Sequence, residues 1–411
     1  MTKKPKIEIL AEKEKLIEGA KQNVDVLIRI TPPEPPAENK RPKLNLGIAL
    51  DRSGSMEGRK MKEARDAAKF CVDNLLSSDR FSAVIFDDHV DVLFTNQTVT
   101  DREMLHRGID RIEDRGSTAL HEGWVQAGIQ VSEALDPAAI NRVLLITDGL
   151  ANVGETNVDR IVSQARELAG RGISTTTIGI GRDFNEDLLL PMAEAGGGNG
   201  WHVREPEDMV GIFETELQGL SRQFAHAVRL KIDTADGVRV TDLLNDFEQD
   251  GSYILPNLLA GSPLEIVVRI EVQSTAAVGK DLFSASLEYM RQTDKEVVHL
   301  SFAPAVGTQE TVDALESNPD VIRSLQMLLN ARARREAMER MDRGDRDGAL
   351  DELEICSLKM VAAPVSVRDS DIFREELNDL ELTRSSLENS EDDVMVRKQM
   401  AYRRESLRKS R

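Results

Sequence analysis

The hydrophobic pattern is most regular between residues 44 and 220. A near-continuous apolar run at 44–50 reads as a strand buried on both faces. A helical period follows over 58–75, with Met61, Ala64, Ala68, Cys71 and Leu75 on one face. Strands are predicted at 81–86 and 90–94, around Asp87-Asp88, and a short helix at 101–109. Leu120, Trp124, Ala127 and Val131 mark a second helical face. Strands at 143–147, 173–180 and 201–203 then alternate with helices at 158–168 and 185–195. The last helix, 206–220, has a proline near its start and buries Met209, Val210, Phe213, Leu217 and Leu220. Such alternation predicts an α/β, doubly wound, mostly parallel sheet with helices on both faces.

Different patterns flank this region. Residues 7–10 and 24–30 alternate like strands, and Thr31-Pro32-Pro33-Glu34-Pro35-Pro36 reads as a stiff connector. After Ser221, strands are predicted at 228–232, 238–244, 264–272, 282–290 and 297–302, consistent with an antiparallel β-sandwich. Two isolated N-terminal strands cannot stabilise themselves. They are expected to complete this sandwich, with the α/β region inserted between its parts. From 309 the pattern is helical, over 312–342, 347–360, 372–387 and 393–407. The expected domains are therefore 1–42, 43–222, 223–308 and 309–411. Ala349-Leu350-Asp351-Glu352-Leu353, after Arg343-Gly344-Asp345, resembles one tetratricopeptide-type helical hairpin, with no second copy.

Composition narrows the function classes. A formal net charge of −19 disfavours contact with nucleic acid backbones. Cys71 and Cys356 are the two cysteines, far apart, so no disulfide scaffold is indicated. Lys3, Lys4 and Lys6 near the start are not followed by an apolar core, which argues against a signal peptide. No run of 18 apolar residues reads as a membrane span. The expected location is cytoplasmic. The acidic stretch 371–393 precedes a basic tail, 397–411, and an intramolecular or protein contact is the expected use of that tail.

Candidate chemistry gathers where strands end. Asp51, Ser53 and Ser55 are spaced two apart just beyond the apolar run 44–50. Thr118 lies in the loop Gly116-Ser117-Thr118, and Asp148 follows the strand 143–147. In open α/β sheets, ligands collect at the carboxyl ends of strands. All five are hard oxygen donors, which suit Mg²⁺, Mn²⁺ or Ca²⁺. In this order, Asp51, Ser53, Ser55, Thr118 and Asp148 resemble the metal-ion-dependent adhesion site of a von Willebrand factor A domain. The resemblance covers about half the chain, and the surrounding residues are similar to the soluble microbial branch. It implies a binding module in which one divalent cation, Mg²⁺ first, captures an acidic side chain of a protein partner. It also implies that Ser53, Ser55 and Thr118 contact the metal directly, while Asp51 and Asp148 act partly through water.

The same stretches admit other readings. Asp51, Ser53 and Ser55 could cap the following helix, and Asp148 could be a turn residue. Asp345, Asp347, Gly348 and Glu354 fall on EF-hand positions, but Arg343 stands where the first carboxylate belongs. His121 stands either at the rim of the site or as a solvated residue at a helix start. Without a nucleophile elbow, a P-loop or a kinase motif, no catalytic role is expected. The alternatives are a metal-dependent hydrolase, or an accessory subunit of an AAA+ ATPase or a kinase/phosphatase regulatory system. The oligomeric state is left open.

Overall fold

The computed structural model describes residues 4–34, 42–274, 280–291, 293–389 and 392–409. Lys3, Pro35 and Pro36, Ser390 and Glu391, and Ser410 and Arg411 lie outside the described residues. The chain divides into two compact units. One comprises residues 36–226 with 291–294, and the other residues 1–35, 227–290 and 295–411.

The first unit is built on a six-stranded sheet. Its order is Val90–Thr98, Arg80–Phe86, Leu44–Asp51, Ile140–Thr147, Ile173–Ile180, Gly197–Val203. Only the Val90–Thr98 edge runs antiparallel. Leu44, Leu46, Ile48 and Leu50 share one core with Met61, Ala64, Ala68 and Cys71 of helix Arg59–Asn74 and with Phe213 and Leu220 of helix Met209–Ser221. Helix Leu120–Ser132 packs against the same strand near Gly47, where an added Cβ would stand 2.6 Å from Val131 Cγ2. Glycine is required there for the close approach.

Helix Met209–Ser221 departs from the expected pattern. Val210 is only half-buried, whereas Glu216 is buried. Its carboxylate accepts bonds from Thr176 Oγ1 at 2.6 Å, Asn199 Nδ2 at 2.8 Å and Trp201 Nε1 at 2.9 Å. The Arg142 guanidinium, also buried, lies 3.4 Å away. Partners from three strands therefore hold this helix at one polar point inside an apolar interface.

In the second unit, Lys6–Ala11, Gln22–Thr31, Leu264–Val272 and Val238–Leu243 form an antiparallel sheet in that order. Gln22–Thr31 is an inner strand, with Val26, Leu27, Ile28 and Ile30 fully buried. A second sheet contains Tyr253–Leu255, Gln223–Thr234, Phe283–Arg291 and Asp294–Phe302. The helical stretch expected at 312–342 is broken in two, Gln309–Asp313 and Pro319–Asp342. Asn318 caps the second helix and Pro319 occupies its first turn, an arrangement that starts a helix rather than continuing one. Val321 and Leu328 of this helix pack on Leu27, Leu244 and Val267, and its Arg332 forks onto Asp242 at 2.6 and 2.8 Å.

Helices Arg346–Val361, Asp371–Glu388 and Asp393–Arg408 complete the C-terminal region. Asp345 accepts the Gly348 N–H as an N-cap, which explains the EF-hand-like residues without an ion. The basic tail folds back within this unit. Arg397 pairs with Asp342, Arg403 with Glu376, and Arg408 donates to the Asn245 carbonyl at 2.7 Å. The acidic stretch 371–393 thus supplies the partner of Arg403, while Arg397 and Arg408 bind elsewhere.

Candidate functional site

Asp51 closes the central strand Leu44–Asp51, and Asp148 stands one residue beyond the neighbouring strand Ile140–Thr147. The strands are parallel, with Leu50 opposite Ile146. Both carboxylates therefore emerge side by side at the same end of the sheet. Thr118 arrives from the loop before helix Leu120–Ser132. Backbone bonds hold this loop in place, from Gly54 N–H to the Gly116 carbonyl at 3.1 Å and from Ala119 N–H to the Asp87 carbonyl at 2.7 Å. Gly116 has a φ of 73°, and a Cβ there would meet Asp88 Oδ1 at 2.3 Å, so only glycine fits. Thr118 donates its N–H to Asn152 Oδ1 at 3.0 Å, which ties it to the loop carrying Asp148.

The five expected residues meet. Asp51 accepts the Ser53 N–H at 2.8 Å and the Thr147 hydroxyl at 2.5 Å. The Ser53 and Ser55 hydroxyls are 3.1 Å apart, and Ser55 donates to Asp148 Oδ1 at 2.6 Å. A Cβ built on Gly149 would lie 3.2 Å from Thr118 Oγ1 and 3.8 Å from both Asp51 Oδ2 and Ser55 Oγ. Oxygens from two distant segments thus approach the point that a side chain at 149 would fill, and Asp148 joins them through Ser55.

Capping does not account for this arrangement. A short 3-10 turn, Gly54–Met56, separates Ser53 from helix Arg59–Asn74. The helix is preceded by Gly58, and neither element has a side-chain cap. The first helix thus begins four residues after Ser55 rather than directly behind it. The serine hydroxyls instead face one another and Asp148.

Electrostatics favour a cation. Burial pushes the Asp51 carboxyl up to about 6. Bonds from Thr147 and Ser53 pull it down, and the Asp148 charge adds a further upward push. A buried carboxylate in this state gains from a nearby positive charge.

Several residues that sequence reasoning passed over organise the site. The Lys60 ammonium sits on Asp148 Oδ2 and lies 3.3 Å from the Ser55 carbonyl. Thr147, adjacent to Asp148, holds Asp51. Asp87, expected as a plain turn residue, is buried beneath the Thr118 loop. Burial pushes its carboxyl up, but the bonds from Arg115 and the His89 N–H and the charges of Arg52 and Arg115 outweigh that, so it is lowered. Asp87, Asp88 and His89 bring their donor atoms within 4.8 Å of one another. Asp87 is already committed to Arg52 and Arg115, each at 2.8 Å, so a structural role accounts for it. His121 bonds Gln164 Oε1 at 2.5 Å and packs near Trp124, which turns it toward helix Val158–Gly170. No residue type or spacing marks Lys60 in the sequence. A hydroxyl ending an apolar strand, as in Thr147, was the available signal for the other.

Comparison with known proteins bears on the fold. Residues 45–214 match the von Willebrand factor type A domain. The chain is 28% identical over 183 residues to the uncharacterized protein sll0103 of Synechocystis, covering 44% of this chain and 43% of that protein. It is 30% identical over 264 residues to inter-alpha-trypsin inhibitor heavy chain H2 of Mus musculus, covering 61% of this chain and 27% of that one. The chain thus spans less than half the length of these relatives. Two solved structures share the fold along nearly the whole chain. A von Willebrand factor type A protein from Catenulispora acidiphila has a TM-score of 0.65 at 18% identity, covering 94% of this chain and 97% of that one. The ArnB paralog VWA2 from Sulfolobus acidocaldarius has a TM-score of 0.62 at 14% identity, covering 99% of each. The chain contains a von Willebrand factor type A domain.

Proposed function

We propose that this chain is a metal-dependent protein-binding module. Asp51, Ser53, Ser55, Thr118 and Asp148 would hold one divalent cation, with Mg²⁺ the first choice and Mn²⁺ and Ca²⁺ the other hard cations the donors suit. When bound, the cation supplies a Lewis-acidic position for an Asp or Glu side chain of a protein partner. The observation that carries this reading is the convergence of the Thr118 and Ser55 hydroxyls and the Asp51 carboxylate beside Gly149, with Ser53 and Asp148 bound to Ser55.

The donor set favours capture over catalysis. Two carboxylates, one of them already paired with Lys60, would leave a divalent charge incompletely neutralised, which favours an anionic outside ligand. Lys60 and Thr147, which touch those carboxylates, are tied to them rather than aimed outward as a general base would be. Among the described residues, no helix is long and apolar enough to cross a membrane. The proposed setting is cytoplasmic, with the chain acting as a scaffold or as an accessory factor beside a regulatory enzyme.

Calorimetric titration of the full chain with Mg²⁺ or Mn²⁺ tests the site. We expect one ion per chain for the wild type and none for Asp51→Ala/Asp148→Ala. Equal binding by both would overturn the assignment. Affinity capture with and without chelator, using the same pair, then tests whether partner binding depends on the ion.

A further inference from the structure

The structure places one more charged group against the candidate donors, and its chemistry goes beyond holding an ion. Lys60 lies in the first turn of helix Arg59–Asn74, and its ammonium contacts Asp148 Oδ2. The side chain is 26% exposed and lies against the loop after strand Ile173–Ile180, where a Cβ on Gly181 would come within 3.7 Å of Lys60 Cε. Neighbouring cations are engaged elsewhere. Arg52 and Arg115 pair with Asp87 and Asp91, and Arg59 pairs with Glu207. Lys60 is therefore a fixed positive charge directed into the cluster.

We propose that Lys60 couples ion uptake to ligand capture, by keeping the site one positive charge above neutrality until an acidic ligand arrives. The proposal rests on the metal-site reading above. With Asp51 and Asp148 ionised and Lys60 in place, the ion-free cluster carries one net negative charge. A divalent ion held by these residues would turn this into one net positive charge. A carboxylate from a partner restores neutrality. Without Lys60, the ion alone would neutralise the cluster, and the same carboxylate would bring surplus negative charge. Lys60 and the ion, both held beside the buried Asp148, would repel strongly, since screening there is weaker than in bulk water. Ion and carboxylate should therefore raise each other's affinity by the same factor, as binding linkage requires.

The test is Mn²⁺ titration of the full chain, with and without acetate as the carboxylate probe, at ionic strength matched by chloride. In the wild type we expect acetate to tighten Mn²⁺ binding. In Lys60→Met, Mn²⁺ alone should bind about tenfold tighter, a change within the ordinary range of coupling between sites, and the acetate effect should largely disappear. Lys60→Arg, which keeps the charge, should behave like the wild type. Thermal melts of each variant establish that it is folded. Weaker Mn²⁺ binding by Lys60→Met would mean that Lys60 serves to orient Asp148, and would overturn the proposal. So would an unchanged affinity with an unchanged acetate effect. Absence of Mn²⁺ binding in the wild type and both variants would instead overturn the metal-site reading itself, a result distinguishable from the other two.

Discussion

Asp51 should be a liability to the ion-free fold, and replacing it should stabilise the protein while abolishing its chemistry. Its carboxyl is raised from 3.8 to about 6 in the folded chain, chiefly by burial. A raised acid binds more protons folded than unfolded between these two values. Its contribution to stability therefore falls as pH rises from about 4 to about 6, and the full cost is present above that window. A shift of roughly two units, at about 1.36 kcal/mol each, makes the cost ~3 kcal/mol at neutral pH. Asp51→Asn removes the charge with little change of shape. Its carbonyl can still accept the Ser53 N–H. The Thr147 hydroxyl, which already accepts the Gly149 N–H at 3.1 Å, must turn to accept from the new amide. That rearrangement offsets part of the benefit, so the expected gain is about 1–3 kcal/mol.

Both tryptophans, Trp124 and Trp201, lie in the α/β unit, so their fluorescence follows that unit alone during urea unfolding. In chelator at pH 7.5, Asp51→Asn should unfold at higher urea than wild type. Near pH 4 the difference should vanish, because the native aspartate is then protonated. Adding Mg²⁺ or Mn²⁺ at pH 7.5 should stabilise only the wild type, by mass action on its folded form. A variant that is less stable than wild type at pH 7.5 in chelator, or a difference that does not change with pH, would refute the reasoning.

Three further outcomes are expected. Gly149→Ala puts a methyl among Thr118 Oγ1, Asp51 Oδ2 and Ser55 Oγ; calorimetry should show lost Mg²⁺ and Mn²⁺ binding while the fluorescence-detected urea midpoint moves little. Glu216→Ala strands the buried Arg142 guanidinium and should cost about 3–5 kcal/mol in the same urea assay; a cost below about 1 kcal/mol would show that the polar anchor of the last helix is dispensable. Deleting residues 1–40 removes the inner strand Gln22–Thr31 from its sheet; the shortened chain should aggregate or bind a hydrophobic dye, whereas isolated 42–222 should fold, and a soluble, dye-silent deletion would argue against the inserted arrangement.

The parts that the sequence disclosed and the parts it withheld differ for a physical reason. Strand Leu44–Asp51 is buried on both faces, so its apolar run announces itself without knowledge of its neighbours. Asp51, Ser53 and Ser55 are close in sequence, and Thr118 and Asp148 each sit at a strand end or loop tip where chain direction predicts convergence. Lys60 and Glu216 lack any such local mark. The period of its helix suits a solvated charge at Lys60, whereas Glu216 falls on the apolar face of its own helix with nothing nearby to name its partners; each is fixed by groups from other segments, Asp148 for one and Arg142, Thr176, Asn199 and Trp201 for the other. A single charged residue on an amphipathic helix carries no record of a partner about 75 to 90 positions away. The same limit explains Asp87, whose turn position was visible but whose role beneath the Thr118 loop depends on Arg52 and Arg115. Local periodicity therefore locates the donors, while the charges that tune them are visible only once the strands are laid side by side. For the candidate site, the proposed ligand oxygens can be read from the motif, but the charge that tunes them cannot. On the proposed reading, two modules with the same five donors and different residues at position 60 would bind the same ion with different dependence on an acidic partner.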